Sequence, residues 1–147
     1  MSRTFKIFTS GKMGGLTFEQ QMKWRMNLEI EIKKHIEKLA NPPKVVFIHP
    51  PEFFDYEFPK QDVAKEWEIN QLMDSDIAVF NLSNINDSIG THMELGIVYA
   101  TNKLSPNKHI TTIGIGKPDT DHPWIKTFCC LDDEKAAAEF ITKYLLL

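Results

Sequence analysis

Asp76-Ile77-Ala78-Val79-Phe80-Asn81-Leu82 leads, through a short loop, into Asn86-Asp87-Ser88-Ile89-Gly90-Thr91-His92-Met93-Glu94-Leu95-Gly96-Ile97-Val98-Tyr99-Ala100. The first half is a continuous apolar run of the kind that forms a parallel strand covered on both faces. A polar, glycine-containing loop follows, and then a helix that is apolar on nearly every face. Met93, Leu95, Ile97, Val98, Tyr99 and Ala100 leave that helix no solvated stripe, which predicts an internal helix. Glu94 stands in its first turns, where an ionised carboxylate is costly unless something pairs with it or uses it. The helix N-terminus helps to keep it charged. Two readings follow. Glu94 is a nucleophile aimed at an electron-poor carbon, or it is a structural carboxylate that caps amides or pairs with a buried Lys or Arg.

Working outward, strand and helix signals alternate along the chain. Residues 5–10 form a short strand candidate closing on Gly11-Lys12-Met13-Gly14-Gly15. Residues 17–40 carry Phe18, Met22, Met26, Ile30, Ile32, Ile36 and Leu39 at helical spacing, stopped by Asn41-Pro42-Pro43. Further strands are predicted at 45–48, 77–82, 109–115 and 127–130, and further helices at 62–73, 90–102 and 132–146, the last capped by Asp132 or Asp133. This alternation predicts an α/β fold: a single domain over residues 1–147, with an open parallel sheet of about five strands. The layout is Rossmann- or flavodoxin-like, with three layers and helices on both faces.

Ligands in such folds bind outside the carboxyl ends of the strands. The segments 11–15, 49–58 and 83–91 should therefore converge on one crevice. The Gly11–Gly15 loop precedes a helix, so its free N–H groups can cradle an anion or sugar oxygens. It matches neither a Walker loop nor a dinucleotide fingerprint, and as a bare turn it needs no ligand. Phe53, Phe54, Tyr56 and Phe58 are either a hydrophobic plug or a stacking wall for a nucleobase. Asp87, Ser88, Gly90, Glu94 and Glu68 bring several carboxylates near the crevice, which suits glycosidic chemistry. His49 and His92 read as structural or loop residues. No Ser nucleophile elbow or Cys–His pair stands out. Asp74-Ser75-Asp76 is the nearest approach to a metal loop, and it precedes its strand at the wrong edge of the sheet. No metal and no cofactor are expected.

The chain has 147 residues, 42% hydrophobic and 25% charged, with a formal net charge of −3. That charge argues against a nucleic-acid polymer as partner. No apolar run approaches the ~18 residues that span a bilayer. The N-terminal residues lack a signal-peptide core, so a cytoplasmic location is expected. Adjacent Cys129 and Cys130 read as small buried strand residues rather than a disulfide or zinc pair.

The strand at Lys6–Ser10 with its glycine loop, the stretch Met73–Leu82, and Asp87-Ser88-Ile89-Gly90-Thr91-His92-Met93-Glu94-Leu95-Gly96 together resemble the nucleoside 2-deoxyribosyltransferase family. That family includes the deoxynucleoside 5′-monophosphate N-glycosidases, and the likeness covers roughly residues 5 to 145. It implies a glutamate, here Glu94, that attacks C1′ of a 2′-deoxyribonucleoside to form a glycosyl-enzyme, which a second base or water resolves. Asp87 then corresponds to the loop aspartate that meets the sugar hydroxyls, with Ile89 as a one-residue insertion. Glu68 falls where the family carries an aspartate touching the base. Phe8 stands where transferases place a tyrosine. The Gly11–Gly15 loop, with Lys12, looks closer to the hydrolase branch, whose loop meets a phosphate, although that branch's arginine is missing. The resemblance also implies a homo-oligomer that completes its sites across subunits. The apolar neighbours Met93, Leu95 and Ile97 suggest that a 2′-hydroxyl beside Glu94 would find no partner. A 2′-deoxynucleoside, its 5′-monophosphate, and a non-catalytic nucleotide-binding role remain the alternatives.

Overall fold

A computed structural model of the chain describes residues 3–53, 60–126, 128 and 130–146. Strand β1 is Thr4–Ser10, helix α1 Phe18–Ile36, β2 Lys44–Ile48, α2 Gln61–Met73 and β3 Ile77–Asn81. Helix α3 is Ile89–Leu104, β4 Thr111–Ile115, α4 the single turn Pro123–Lys126, β5 Cys130–Leu131 and α5 Glu134–Phe140. Local chemistry sets several boundaries. Thr17 and Gln20 close a reciprocal capping box at the start of α1, and Asp133 accepts from the Ala136 amide at the start of α5. The closing helix loosens after Phe140 into a π-helical turn, Ile141–Leu145.

All four strand pairings are parallel, in the order β2-β1-β3-β4-β5. This is the flavodoxin-like order, with its switch point between β1 and β3. The expected three-layer open sheet is therefore present. Phe5, Ile7, Ile77, Val79, Ile113 and Ile115 pack on one face against Trp24, Leu28 and Ile32 of α1 and Ala137, Ala138 and Ile141 near the C-terminus. Phe8, Ala78 and Phe80 pack on the other against Leu72 of α2 and Val98 of α3. Ile77, Ala78, Val79 and Phe80 are all buried, as their unbroken apolar run requires.

One expectation is overturned. Helix α3 is not internal in this chain: Ile89 is 77% exposed, Met93 58%, Tyr99 67% and Leu104 82%. Only Thr91, Val98 and Thr101 are fully buried in it. One sheet face can cover one side of a helix, and no described residue covers the other. No described helix is long and apolar enough to cross a membrane. Asp74 and Asp76 lie at the N-terminal edge of β3, where they pair with Lys6, Arg3 and Lys108.

Candidate active site

Side chains alternate along β1, and the last residues divide between the two faces. Thr9 turns toward α1, where its hydroxyl meets Arg25 Nε at 3.2 Å and His49 Nδ1 at 2.8 Å. Ser10 turns toward α3 and Glu94. The chain then leaves the sheet at Gly11, whose missing side chain is a packing requirement. A Cβ there would lie 3.0 Å from Trp24 Cζ2 and 3.2 Å from Asn81 Cβ. Gly15 turns the loop with φ +75°, a conformation that favours glycine.

A cavity of about 180 Å³ opens at this carboxyl edge, at the switch point. Gly11 and Met13 contribute from the β1 loop, and Gln61, Ala64, Lys65 and Glu68 from α2. Ser88, Gly90, Thr91 and Glu94 contribute from the start of α3. The volume is below the ~300 Å³ lower bound of drug-sized ligand sites. Ser88 Oγ and Thr91 Oγ1 lie 2.5 Å apart on one wall.

Glu94 is the electrostatic centre of the cavity. Its Oε2 atom is buried and finds no hydrogen-bond partner among the described residues, and the same holds for Ser10 Oγ. Burial pushes the Glu94 pKa up to about 7, with Glu68 adding to the rise and Ser10 and Arg25 opposing it. Burial also raises the pKa of Glu68, against the pull of Arg25. Two carboxylates with raised pKa values thus share one cavity, an arrangement common where groups attack carbon and move protons.

Beneath them lies Arg25, wholly buried. Burial lowers its pKa to about 10, partly offset by Glu94 and Glu68, so the guanidinium stays charged at neutral pH. His49 is also buried, and burial lowers its pKa. Its Nδ1 lies 2.8 Å from Thr9 Oγ1 and its Nε2 3.4 Å from Glu29 Oε2. His49 is therefore structural, and His92 turns its ring to the Ser88 carbonyl.

Of the predicted site residues, Glu94, Glu68, Gly11, Ser88 and Gly90 meet in the cavity. Phe8 does not: it is fully buried in the core between Ile48 and Ala78. Even-numbered β1 positions face α2 and α3, but Phe8 sits one pleat too deep to reach the edge. Asp87, Lys12, Gly14 and Gly15 lie outside the cavity wall. Asp87 ends a 3-10 turn, Ile85–Asp87, and pairs with Lys12 Nζ at 3.6 Å, which ties the β1 and β3 loops together. Met93 is a surface residue, so the apolar wall near Glu94 is Met13 and Ala64 rather than its sequence neighbours. Phe54 and Tyr56 fall outside the described residues. Phe53 is half exposed and packs on Trp67, ring centres 4.5 Å apart.

Arg25, Ser10, Lys65 and Gln61 were not expected from the sequence, whereas Thr91 closes the segment 83–91 that was expected at the crevice. Arg25 left a signal, because it lies three and seven residues before the buried Leu28 and Ile32 of α1. A charge on that stripe is buried and must answer to something. Among the described residues, no three His, Cys, Asp or Glu side chains converge as a metal site. No family model and no curated protein matches the chain.

Proposed function

We propose that this protein cleaves the N-glycosidic bond of 2′-deoxyribonucleosides, with Glu94 as the nucleophile. The observation that supports this most is the buried, unpartnered Glu94 Oε2 beside a second carboxylate, at the switch point of the sheet. The resemblance of the Asp87–Gly96 segment to the 2-deoxyribosyltransferase family points the same way. In this reading the ionised Glu94 attacks C1′ and forms an ester to the sugar. The C1′–N bond breaks with its electron pair going to the base, and Glu68 supplies the proton that the departing base needs. Water or a second base then attacks C1′, and Glu94 leaves as a carboxylate.

The 2′ position of the sugar is where this chemistry discriminates between substrates. A 2′-hydroxyl withdraws electrons from the oxocarbenium-like transition state. Deoxyribosides should therefore react at least ~10-fold faster than ribosides. A 5′-monophosphate is the second reading. Lys65 lines the cavity and Lys12 stands beside it, and either can meet a phosphate. A cytoplasmic homo-oligomer completes the proposal, and the exposed face of α3 supports self-association.

The test is a panel of deoxynucleosides, ribonucleosides and their 5′-monophosphates, with and without an acceptor base, followed by chromatography. Base should be released by the wild type and not by Glu94→Ala. Equal release from deoxyadenosine and adenosine would reject the deoxyribosyl assignment. Release undiminished in Glu94→Ala would remove Glu94 from the chemistry. If no member reacts but some still bind, the protein is a nucleotide-binding module.

A further inference from the structure

Among the described residues Arg25 is the largest fully buried side chain, and its contacts form a pattern. Nε donates to Thr9 Oγ1 at 3.2 Å, Nη2 to the Gly11 carbonyl at 3.2 Å, and Nη1 to the Gln21 carbonyl at 2.5 Å. Thr9 and Gly11 flank Ser10. The guanidinium therefore grips the strand end on both sides of Ser10, whose buried hydroxyl is turned toward Glu94, and its acceptor Gly11 lines the cavity with Glu94. None of these three partners is charged. The Trp24 ring also lies 4.8 Å from the Arg25 Cζ, but a buried cation whose hydrogen-bond acceptors are all neutral is expensive, and the carboxylates that offset it through space are Glu94 and Glu68.

We propose that Arg25 is a positioning residue for Glu94: it fixes Ser10 against the carboxylate and serves as its buried counter-charge. A planar fork suits this task better than an ammonium, because it reaches several acceptors from one rigid plane. The other groups facing Glu94 are few. Glu68 and Lys65 approach from α2 and the Ser10 hydroxyl from β1, while His92 of α3 is turned to the Ser88 carbonyl. Glu68 opposes ionisation of Glu94, so Arg25 is the deeply buried charge that favours it. The inference rests on the glycosidase reading only where it bears on turnover.

The experiment follows the Glu94 side-chain carboxyl by NMR in protein labelled with carbon-13 glutamate, the signal being assigned by its loss in Glu94→Gln. Wild type is compared with Arg25→Lys, Arg25→Gln and Arg25→Met. Gln keeps a polar contact and Met keeps the bulk, so one of two different neutral variants can carry the measurement if the other fails to fold. In a neutral variant the Glu94 midpoint should rise by about one pH unit or more, and in Arg25→Lys by less than about half a unit. At pH 7 the neutral variants should lose about fivefold or more in kcat with KM nearly unchanged, and the rising limb of their pH profile should move up with the Glu94 midpoint. A role confined to tying α1 to β1 would lower stability and leave the Glu94 midpoint in place, and that result would overturn the proposal. A midpoint that moves in a protein releasing no base from any substrate would sustain Arg25's role and refute the glycosidase reading.

Discussion

Lys12 and Asp87 meet at 3.6 Å, joining the loop that follows β1 to the loop that follows β3. Both loops contribute residues to the cavity wall, yet neither Lys12 nor Asp87 is part of it. Asp87 is mostly exposed, its side chain retaining 74% of its accessible surface. An exposed pair of this kind contributes about 0–1 kcal/mol. Asp87→Ala should therefore leave the melting temperature almost unchanged and lower kcat/KM by less than about tenfold. A loss of a hundredfold or more would mean that the carboxylate leaves Lys12 and reaches the sugar once substrate enters.

Glu94 ties activity and stability to pH in opposite senses. Its folded pKa of about 7 stands above its ordinary value of 4.5. The folded state thus binds this proton more tightly than the unfolded chain does. The associated stability is fully present below pH 4.5 and is lost as the pH rises through about 7. The gap corresponds to about 3 kcal/mol by pH 8. Turnover needs Glu94 ionised and Glu68 protonated, so kcat/KM should follow a bell-shaped profile, rising as Glu94 ionises and falling as Glu68 loses its proton. Glu94→Gln should be inactive and more stable than wild type at pH 8, by up to about 3 kcal/mol, with little difference near pH 4.5. Urea denaturation at the two pH values checks this. An equal or lower stability of the variant at pH 8 would contradict it.

Gly11 offers a test of the cavity's frame. A Cβ at this position meets the Trp24 ring at 3.0 Å and Asn81 Cβ at 3.2 Å. Trp24 is buried against the sheet and cannot swing away freely. Gly11→Ala should cost about 1–3 kcal/mol in stability, the usual range for overpacking. It should also reduce activity, because the Gly11 carbonyl is an Arg25 acceptor. A variant as stable and as active as wild type would show that the loop yields without consequence.

How much of this was legible in the residues depended on whether a signal was local. The run Ile77–Phe80 announces a central strand because four successive apolar side chains need cover on both faces, and all four are buried. Thr17 and Gln20 mark a helix start by their own reciprocal bonds. Glu94 stood out because a charge in an apolar helix needs a reason. Arg25 obeyed the same rule but was hidden in a helix rich in charged residues, where one stripe position is easily taken for surface. Phe8 misled in the other direction: its period-2 face was right and its depth along the strand was wrong, and depth is set by where the sheet ends. The two outer sides of α3 could not be told apart, because apolar periodicity reports the need for cover and not its source.

That uncovered side of α3 carries the last prediction. Ile89, Met93, Gly96, Ala100 and Leu104 recur at spacings of three and four and so share one face of the helix, with Tyr99 on its flank. All are exposed in the single chain. Large apolar side chains at both ends with Gly96 and Ala100 between them form a surface that a second helix can approach closely, and space is open beyond the Gly96 backbone. A contiguous apolar surface of this sort is uncommon on a monomer. Glu94 follows Met93 directly on the same helix, so association along this face would stiffen the segment that carries the candidate nucleophile. We expect light scattering at micromolar concentration to give a dimer or larger species. Ala100→Glu should shift it toward monomer, because a charge buried between two apolar helices has no partner there. In a lone chain the same substitution would be harmless, since residue 100 faces solvent. A wild-type protein that scatters as a monomer, or an Ala100→Glu variant with an unchanged mass, would rule this face out as the contact.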